Sequence, residues 1–250
     1  MPVDTGAILE VTDLYKRFQG IEVLRGVTLS IRRGGITALI GSNGAGKSTL
    51  LNLVSGALRP DRGAITLDGH DITGLSSHMR ARGGLSRTFQ HPRVFGSLTV
   101  SESVLFAATP PHDEVLPRSL WRRGRDAYVD IAACLRRCKL DHMAEAPAKD
   151  LSYGEQKLLM LAQVLARESK LLFFDELCAG LEAGLLEHVK QTFRSLASEG
   201  KSILFVEHNL ELVREIADRV VFLHLGKVFR EGETTSVLED AEVVSHYLGQ

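Results

Sequence analysis

The stretch Gly41-Ser42-Asn43-Gly44-Ala45-Gly46-Lys47-Ser48 decides how this chain is read. It fits the pattern G-x-x-x-x-G-K-[ST], and its flanks have the right character. The apolar run Ile36-Thr37-Ala38-Leu39-Ile40 leads in from a Gly34-Gly35 turn, and a segment with Leu50, Leu51 and Val54 at helical spacing leads out. That predicts a strand, a glycine-rich loop and a helix. The glycines let backbone N–H groups turn inward around phosphate oxygens, where side chains would collide. The helix N-terminus adds roughly half a positive charge facing the same anion. Lys47 is expected to reach the β- and γ-phosphates and the Ser48 hydroxyl to ligate Mg²⁺, with Thr49 beside it in the same first turn. A glycine-rich turn arising by chance is the bland alternative, and the flanking strand and helix argue against it. Alone, the loop says only that a nucleoside triphosphate is bound.

Working outward, Val27, Leu29 and Ile31 alternate with polar residues as in a half-buried strand, and Ala64-Ile65-Thr66-Leu67 reads as another strand between turns. Residues 99–165 read as mostly helical, broken by the Pro-rich stretch Pro110-Pro111 to Pro117 and the basic run Arg118–Arg125 around Trp121. The last third alternates Leu171–Phe174, a helix with Leu185, Val189, Phe193 and Leu196 on one face, Ser202–Val206, a further helix, and Arg219–Leu223. Alternating strands and helices predict an α/β fold with a mostly parallel sheet covered on both faces. The middle helices read as a second lobe inserted into that sheet domain.

Leu171-Leu172-Phe173-Phe174-Asp175-Glu176 is an apolar strand that ends in two carboxylates. Parallel α/β sheets hold ligands at their strand C-termini, so both should face the phosphates. Asp175 suits Mg²⁺, a hard cation that takes oxygen ligands and keeps several waters. Glu176 suits a general base that orients and deprotonates an attacking water. A solvated strand end is the alternative, weakened by the phosphate loop.

Leu151-Ser152-Tyr153-Gly154-Glu155-Gln156 opens an apolar-rich helix 23 residues before Asp175. Ser152 is a natural N-cap and Gly154 permits close backbone approach, giving a second anion-binding helix terminus. A plain cap would explain the serine but not the whole hexapeptide. With this segment the chain, from about residue 8 to 250, resembles the ATP-binding subunit of ABC transporters.

The resemblance implies a P-loop NTPase core with an N-terminal antiparallel β region and an inserted helical lobe. It divides residues 8–250 into a core (8–90 and 166–250) and a signature lobe (91–165). It implies two ATPs sandwiched in a head-to-tail dimer, Ser152 and Gly154 of one subunit closing on the nucleotide held by residues 41–49 of the other. Phe18 resembles the aromatic that stacks on adenine, with Tyr15 as an alternative and core packing possible for both. Gln90, in Arg87-Thr88-Phe89-Gln90-His91, resembles the glutamine that senses Mg²⁺ and water. His208, 33 residues after Asp175, resembles the switch histidine on the γ-phosphate. ATP and Mg²⁺ are the implied ligands. The implied partners are a second ATPase subunit, membrane-spanning permeases and a periplasmic or extracellular solute-binding protein, with no nucleic acid. The implied location is the cytoplasm, on the inner face of the membrane through the permeases.

Arg87 to Phe95, Tyr153, Val206-Glu207-His208-Asn209 and Tyr247-Leu248-Gly249 resemble the importer branch for branched-chain and related amino acids. Subunits for urea, amide or lipid transport share much of this pattern, and a non-transport ABC ATPase acting on DNA or ribosomes remains a further alternative. A kinase would need an acceptor site that no feature identifies. Two positions depart from the family: Leu177-Cys178 replaces the usual proline after the catalytic glutamate, and Glu182 stands where Asp or Asn is common. Glu182 reads equally as weakened coupling between paired sites or as a carboxylate favoured by its helix dipole.

Composition sets the outer bounds. The chain has 250 residues, 44% hydrophobic and 24% charged, which excludes wholesale disorder and fits one large or two small domains. Thirty basic against 31 acidic residues leave a net charge of −1, so the electrostatic argument for a nucleic-acid binder is missing. No apolar run approaches the ~20 residues of a membrane span, and Met1-Pro2-Val3-Asp4 does not read as a signal peptide. Cys134, Cys138 and Cys178 are too few for a disulfide framework and suit a reducing compartment. Cys134 and Cys138 share a helix face and read as packing rather than zinc ligands.

Overall fold

A computed structural model describes residues 6–88, 95–108 and 130–248. The most apolar segments of the sequence become the middle of a six-stranded sheet. β3 (Ile36–Ile40), β7 (Leu171–Asp175) and β8 (Ser202–Val206) are buried at every residue, as strands covered on both faces must be. With β6 (Leu85–Arg87) and the hairpin β9 (Arg219–His224) and β10 (Lys227–Glu233), the strand order is β10-β9-β3-β8-β7-β6. Every pairing is parallel except β9 with β10, whose polar sequence suits an edge.

A four-stranded antiparallel sheet, order β2-β1-β4-β5, is built from β1 (Ala7–Phe18), β2 (Ile21–Arg32), β4 (Arg62–Leu67) and β5 (His70–Asp71). The alternation at Val27, Leu29 and Ile31 reflects that sheet's buried face.

The period of two along the central strands divides the core. Leu39, Phe173, Leu204, Val206 and Val221 face the antiparallel sheet and helix α1 (Lys47–Val54), joining Ile8, Val11, Leu24, Leu50 and Leu51. Ala38, Ile40, Phe174, Phe205 and Phe222 face the other way, onto α5 (Tyr153–Leu165), α6 (Ala183–Ser198) and α7 (Leu210–Ile216). There the Phe174 and Phe193 rings stack at 4.5 Å between centroids. The remaining helices are α2 (Ser77–Arg82), α3 (Val100–Ala108), α4 (Ile131–Arg137), α8 (Thr234–Leu238) and α9 (Ala241–Leu248). Helices α3, α4 and α5 pack on one another. Cys138 is fully buried among them, and burial raises its thiol to about 12, so it behaves as a small apolar side chain. The Pro-rich stretch, the basic run, Gln90 and Gly249 lie outside the described residues. No helix among the described residues is long and apolar enough to cross a membrane.

Candidate nucleotide site

Register explains why distant residues converge. Leu39 and Asp175 both pair with Val206, so β3, β8 and β7 end at one level. The chain leaves that level through Gly41, Glu207-His208 and Glu176, the C-terminal edge where open α/β sheets hold ligands.

The phosphate loop is shaped by backbone approach. A Cβ on Gly41 would lie 2.2 Å from the Leu223 carbonyl oxygen, and Gly46 combines a 2.6 Å approach to Leu24 Cδ2 with a left-handed φ of 105°, so both positions call for glycine. Gly46, at φ 105°, is the left-handed N-cap of α1 and offers no side-chain cap, which leaves the first N–H groups of the helix for an anion. Asn43 and Gly44 form the exposed rim beside half-buried Ser42, while Ala45 is buried in the core cluster that includes Leu24, Leu50 and Leu223. The Lys47 ammonium donates to the Gly41 and Ser42 carbonyls at 2.5 and 3.0 Å. Burial lowers its pKa, and the carboxylates of Glu176 and Asp175 pull it back up. Ser48 is exposed on the first turn and Thr49 is half-buried. At the far end of α1, the buried Arg80 guanidinium donates to the Leu53 and Val54 carbonyls at 2.6 and 2.8 Å, and to Thr73 and Leu75 at 2.9 and 3.0 Å. A cation at that C-terminus complements the dipole whose positive end faces the loop.

Asp175 is buried, and its Oδ2 accepts from Arg87 at 3.0 Å. The same guanidinium donates to Asn52 Oδ1 and Ser55 Oγ on α1 at 2.7 and 2.9 Å, tying the acidic strand to the phosphate-loop helix. Glu176 follows in the left-handed region at φ 51°, and its Oε1 lies 3.1 Å from His208 Nε2. The His208 carbonyl accepts from the Tyr247 hydroxyl at 2.8 Å, and Asn209 caps α7 immediately after it. Ser48 hydroxyl and Asp175 carboxylate are hard oxygen donors, so the residues present fit a Mg²⁺ ion.

Phe18 lies at the β1–β2 tip, 40% exposed, with Lys16 Nζ 5.6 Å from its ring centroid. Tyr15 is half-buried under Arg62, at 5.2 Å, so of the two aromatics Phe18 keeps the more accessible ring and is not core. Ser152 and Gly154 stand apart from this group. Ser152 Oγ accepts from Glu155 N at 3.3 Å and Glu155 Oε2 accepts from Ser152 N at 2.8 Å, a complete capping box. Gly154 is required from within: a Cβ there would lie 2.7 Å from Leu185 Cδ1 of α6. Ser152 and Tyr153 remain exposed, and the hydrogen bonds of residues 152–157 among the described residues reach Leu151, Glu176 and Ala179 but not residues 41–48. Leu177 and Cys178 are buried, and Glu182 is exposed at the N-cap of α6 with no side-chain cap bond.

Reading the sequence missed Arg87, Lys157, Arg80 and Glu207 as parts of this neighbourhood. Lys157 carried a usable signal, a lone charge on the apolar face that Leu158, Leu161 and Ala162 define. Arg87 carried none, because its role exists only once β6 lies beside β7.

Residues 24–179 match the ABC transporter family model. The "Probable branched-chain amino acid transport ATP-binding protein LivG" of Archaeoglobus fulgidus is 36% identical over 245 residues, covering 97% of this chain and 95% of that protein. The "High-affinity branched-chain amino acid transport ATP-binding protein BraF" of Pseudomonas aeruginosa is 33% identical over 250 residues, covering 97% and 98%. Among solved structures, a nucleotide-free ATP-binding cassette from an ABC transporter superposes with a TM-score of 0.86 at 29% identity, covering 98% of this chain and 100% of that one. A solved ADP conformation of an ATP-binding cassette of an ABC transporter gives 0.85 at 30% identity, with coverage of 98% and 100%. The strand order, the phosphate loop and these likenesses agree, and the chain belongs to the ABC transporter ATP-binding family.

Proposed function

We propose that this subunit hydrolyses Mg·ATP to energise import of branched-chain or related amino acids, with two copies, or one copy and a close relative, closing head to tail around two nucleotides. The observation that carries the reading is the Glu176–His208 pair, 3.1 Å apart, at the level where the phosphate loop also leaves the sheet. Lys47 exchanges its loop carbonyls for the β/γ-phosphate oxygens, and Phe18 stacks on adenine. Ser152 and Gly154 of the partner copy close on the γ-phosphate, which accords with the exposure of Ser152 and the half-buried position of Gly154 away from their own chain's loop. Glu176 orients a water and takes its proton as the new O–P bond forms and the bond to the β-phosphate oxygen breaks; His208 and Gln90 hold the water and γ-phosphate in line. Ser48, Asp175 and Gln90 would hold Mg²⁺, which would supply charge neutralisation to the phosphates. Catalysis is positioning and charge stabilisation.

Residues 8–90 and 166–250 act as the nucleotide core and 91–165 as the lobe that meets the permease. Phe95 and Phe106, 55% and 52% exposed and edge to face at 5.5 Å, support an apolar docking surface on that lobe. The subunit then works at the inner membrane face through permease partners, with a solute-binding protein supplying specificity. The names of the similar importer proteins support branched-chain amino acids over urea, amides or lipids as cargo.

Glu176→Gln tests the reading. Turnover should fall by at least ~100-fold while a fluorescent ATP analogue still binds and ATP-dependent dimers accumulate on size-exclusion chromatography. Undiminished hydrolysis would remove Glu176 from its role, and leucine uptake that is unaffected by loss of the subunit would remove the cargo.

A further inference from the structure

Helix α5 carries one charge into the core. Lys157 is 2% exposed, between Gln156 and Leu158, on a face otherwise made of Leu158, Leu161 and Ala162. A buried ammonium is strongly unfavourable unless it is fully engaged, and a leucine or methionine would satisfy packing alone. Its hydrogen-bond acceptors are two backbone carbonyls of one turn, Glu176 at 2.7 Å and Ala179 at 2.6 Å. From the other side of that turn, the buried Glu207 carboxylate accepts from Cys178 N at 3.1 Å. Glu207 also interacts electrostatically with Lys157. The turn between Asp175 and Leu181 is therefore gripped by an ammonium on its carbonyls and a carboxylate on an amide.

The grip matters because of what the turn carries. Glu176 is a non-glycine residue at φ 51°, a conformation that persists only where the surroundings over-determine it. Its amide is fixed by the Val206 carbonyl at 3.1 Å and its own carbonyl by Lys157, so both of its peptide units are anchored, setting the point from which its carboxylate meets His208 at 3.1 Å. The same ammonium lies 5.2 Å from the centroid of the Tyr153 ring, in the exposed segment at the start of α5.

We propose that Lys157 is a positioning residue: it transmits the placement of the Ser152–Gly154 segment to the backbone of Glu176, so that the hydrolytic carboxylate is aimed only when its own chain's signature helix is correctly docked. Each site of a closed dimer would thereby sense the opposite interface through one buried side chain. This rests on Glu176 being the hydrolytic base.

The test compares Lys157→Met, Lys157→Arg and wild type as full chains, reading kcat and KM for ATP, affinity for a fluorescent ATP analogue, and ATP-dependent dimer formation in a Glu176→Gln background. The expected result for Lys157→Met is a kcat lower by roughly 10- to 100-fold, with KM and analogue affinity within about twofold and dimers still forming. Lys157→Arg, which keeps the donors, should recover part of kcat. Lys157→Met at wild-type kcat, or a loss carried wholly in KM, would overturn the proposal. If Lys157→Met does not fold, Lys157→Met/Glu207→Gln removes both buried charges together, and the same readouts decide. Undiminished turnover in Glu176→Gln alone would instead overturn the functional reading beneath it, so the two failures are distinguishable.

Discussion

The phosphate loop and the acidic turn after β7 meet at one edge of the sheet but are held there by different means. Residues 41–48 are shaped by backbone packed against Gly41 and by the left-handed φ of 105° at Gly46, both of which call for glycine, with Lys47 bonding within its own loop. Residues 175–181 are shaped by side chains from far along the chain: Arg87, Lys157 and Glu207. The phosphate loop is thus fixed by steric approach of β9 and β2 together with the bonds Lys47 makes inside it, and the Glu176 turn by polar side chains. Both depend on how separate elements dock, the first through steric fit and the second through buried charges, and only the second is tied by side chains to the signature helix.

Three changes and one control separate these two modes. Gly41→Ala should break the cradle outright. The new Cβ meets the Leu223 carbonyl at 2.2 Å, so β3 and the β9 end must part. A loss of ~3 kcal/mol or more in urea unfolding is expected, along with loss of saturable binding of a fluorescent ATP analogue. Arg87→Met strikes the bridge between the two regions. It leaves the buried Asp175 carboxylate without its cation, and a loss of about 3 kcal/mol is expected, with both analogue affinity and turnover reduced. If only turnover changed, the bridge would belong to the acidic turn alone. Ser152→Ala removes one half of the capping box and should lower stability by only ~1 kcal/mol, while turnover falls at least ~10-fold and analogue binding to the isolated subunit is kept. Turnover unchanged by that substitution would contradict a site completed by the partner's helix.

The smallest effect comes from a control remote from both regions. Asp68 pairs with Lys170 and Arg33, and hydrogen bonds from these two side chains hold its carboxyl down to about 2. A depressed folded-state pKa contributes stability above the unfolded value near 4 and loses it as pH falls toward 2. Wild type should exceed Asp68→Asn by less than about 1 kcal/mol at pH 6, the pair being partly exposed, and the gap in urea midpoint should narrow between pH 5 and 3.

Much of this was legible from residue patterns because the relevant physics is local. Ile36–Ile40, Leu171–Phe174 and Ser202–Val206 are short, mostly apolar runs, as doubly covered strands require, and all three form the sheet centre. The helix read from Leu185, Val189, Phe193 and Leu196 is α6. Reading Gly154 as a point of close approach identified its character but not its contact, which is Leu185 of the same chain. Arg80 and Arg87 were opaque, because a surface arginine and one that caps a helix or pairs a buried aspartate have the same one-letter context.

What the sequence determined by itself was the order of strand, glycine loop and helix, the two carboxylates ending an apolar strand, and the capped hexapeptide, each legible from apolar patterning, glycine's backbone freedom or a cap spanning a few residues. Only the tertiary structure decided that Leu39, Val206 and Asp175 share one level, that Glu176 meets His208, and that Lys157 grips the turn between the two carboxylates and Leu181. Strand order and register arise from which apolar faces bury together, and that choice is made by the whole core rather than by any segment of it.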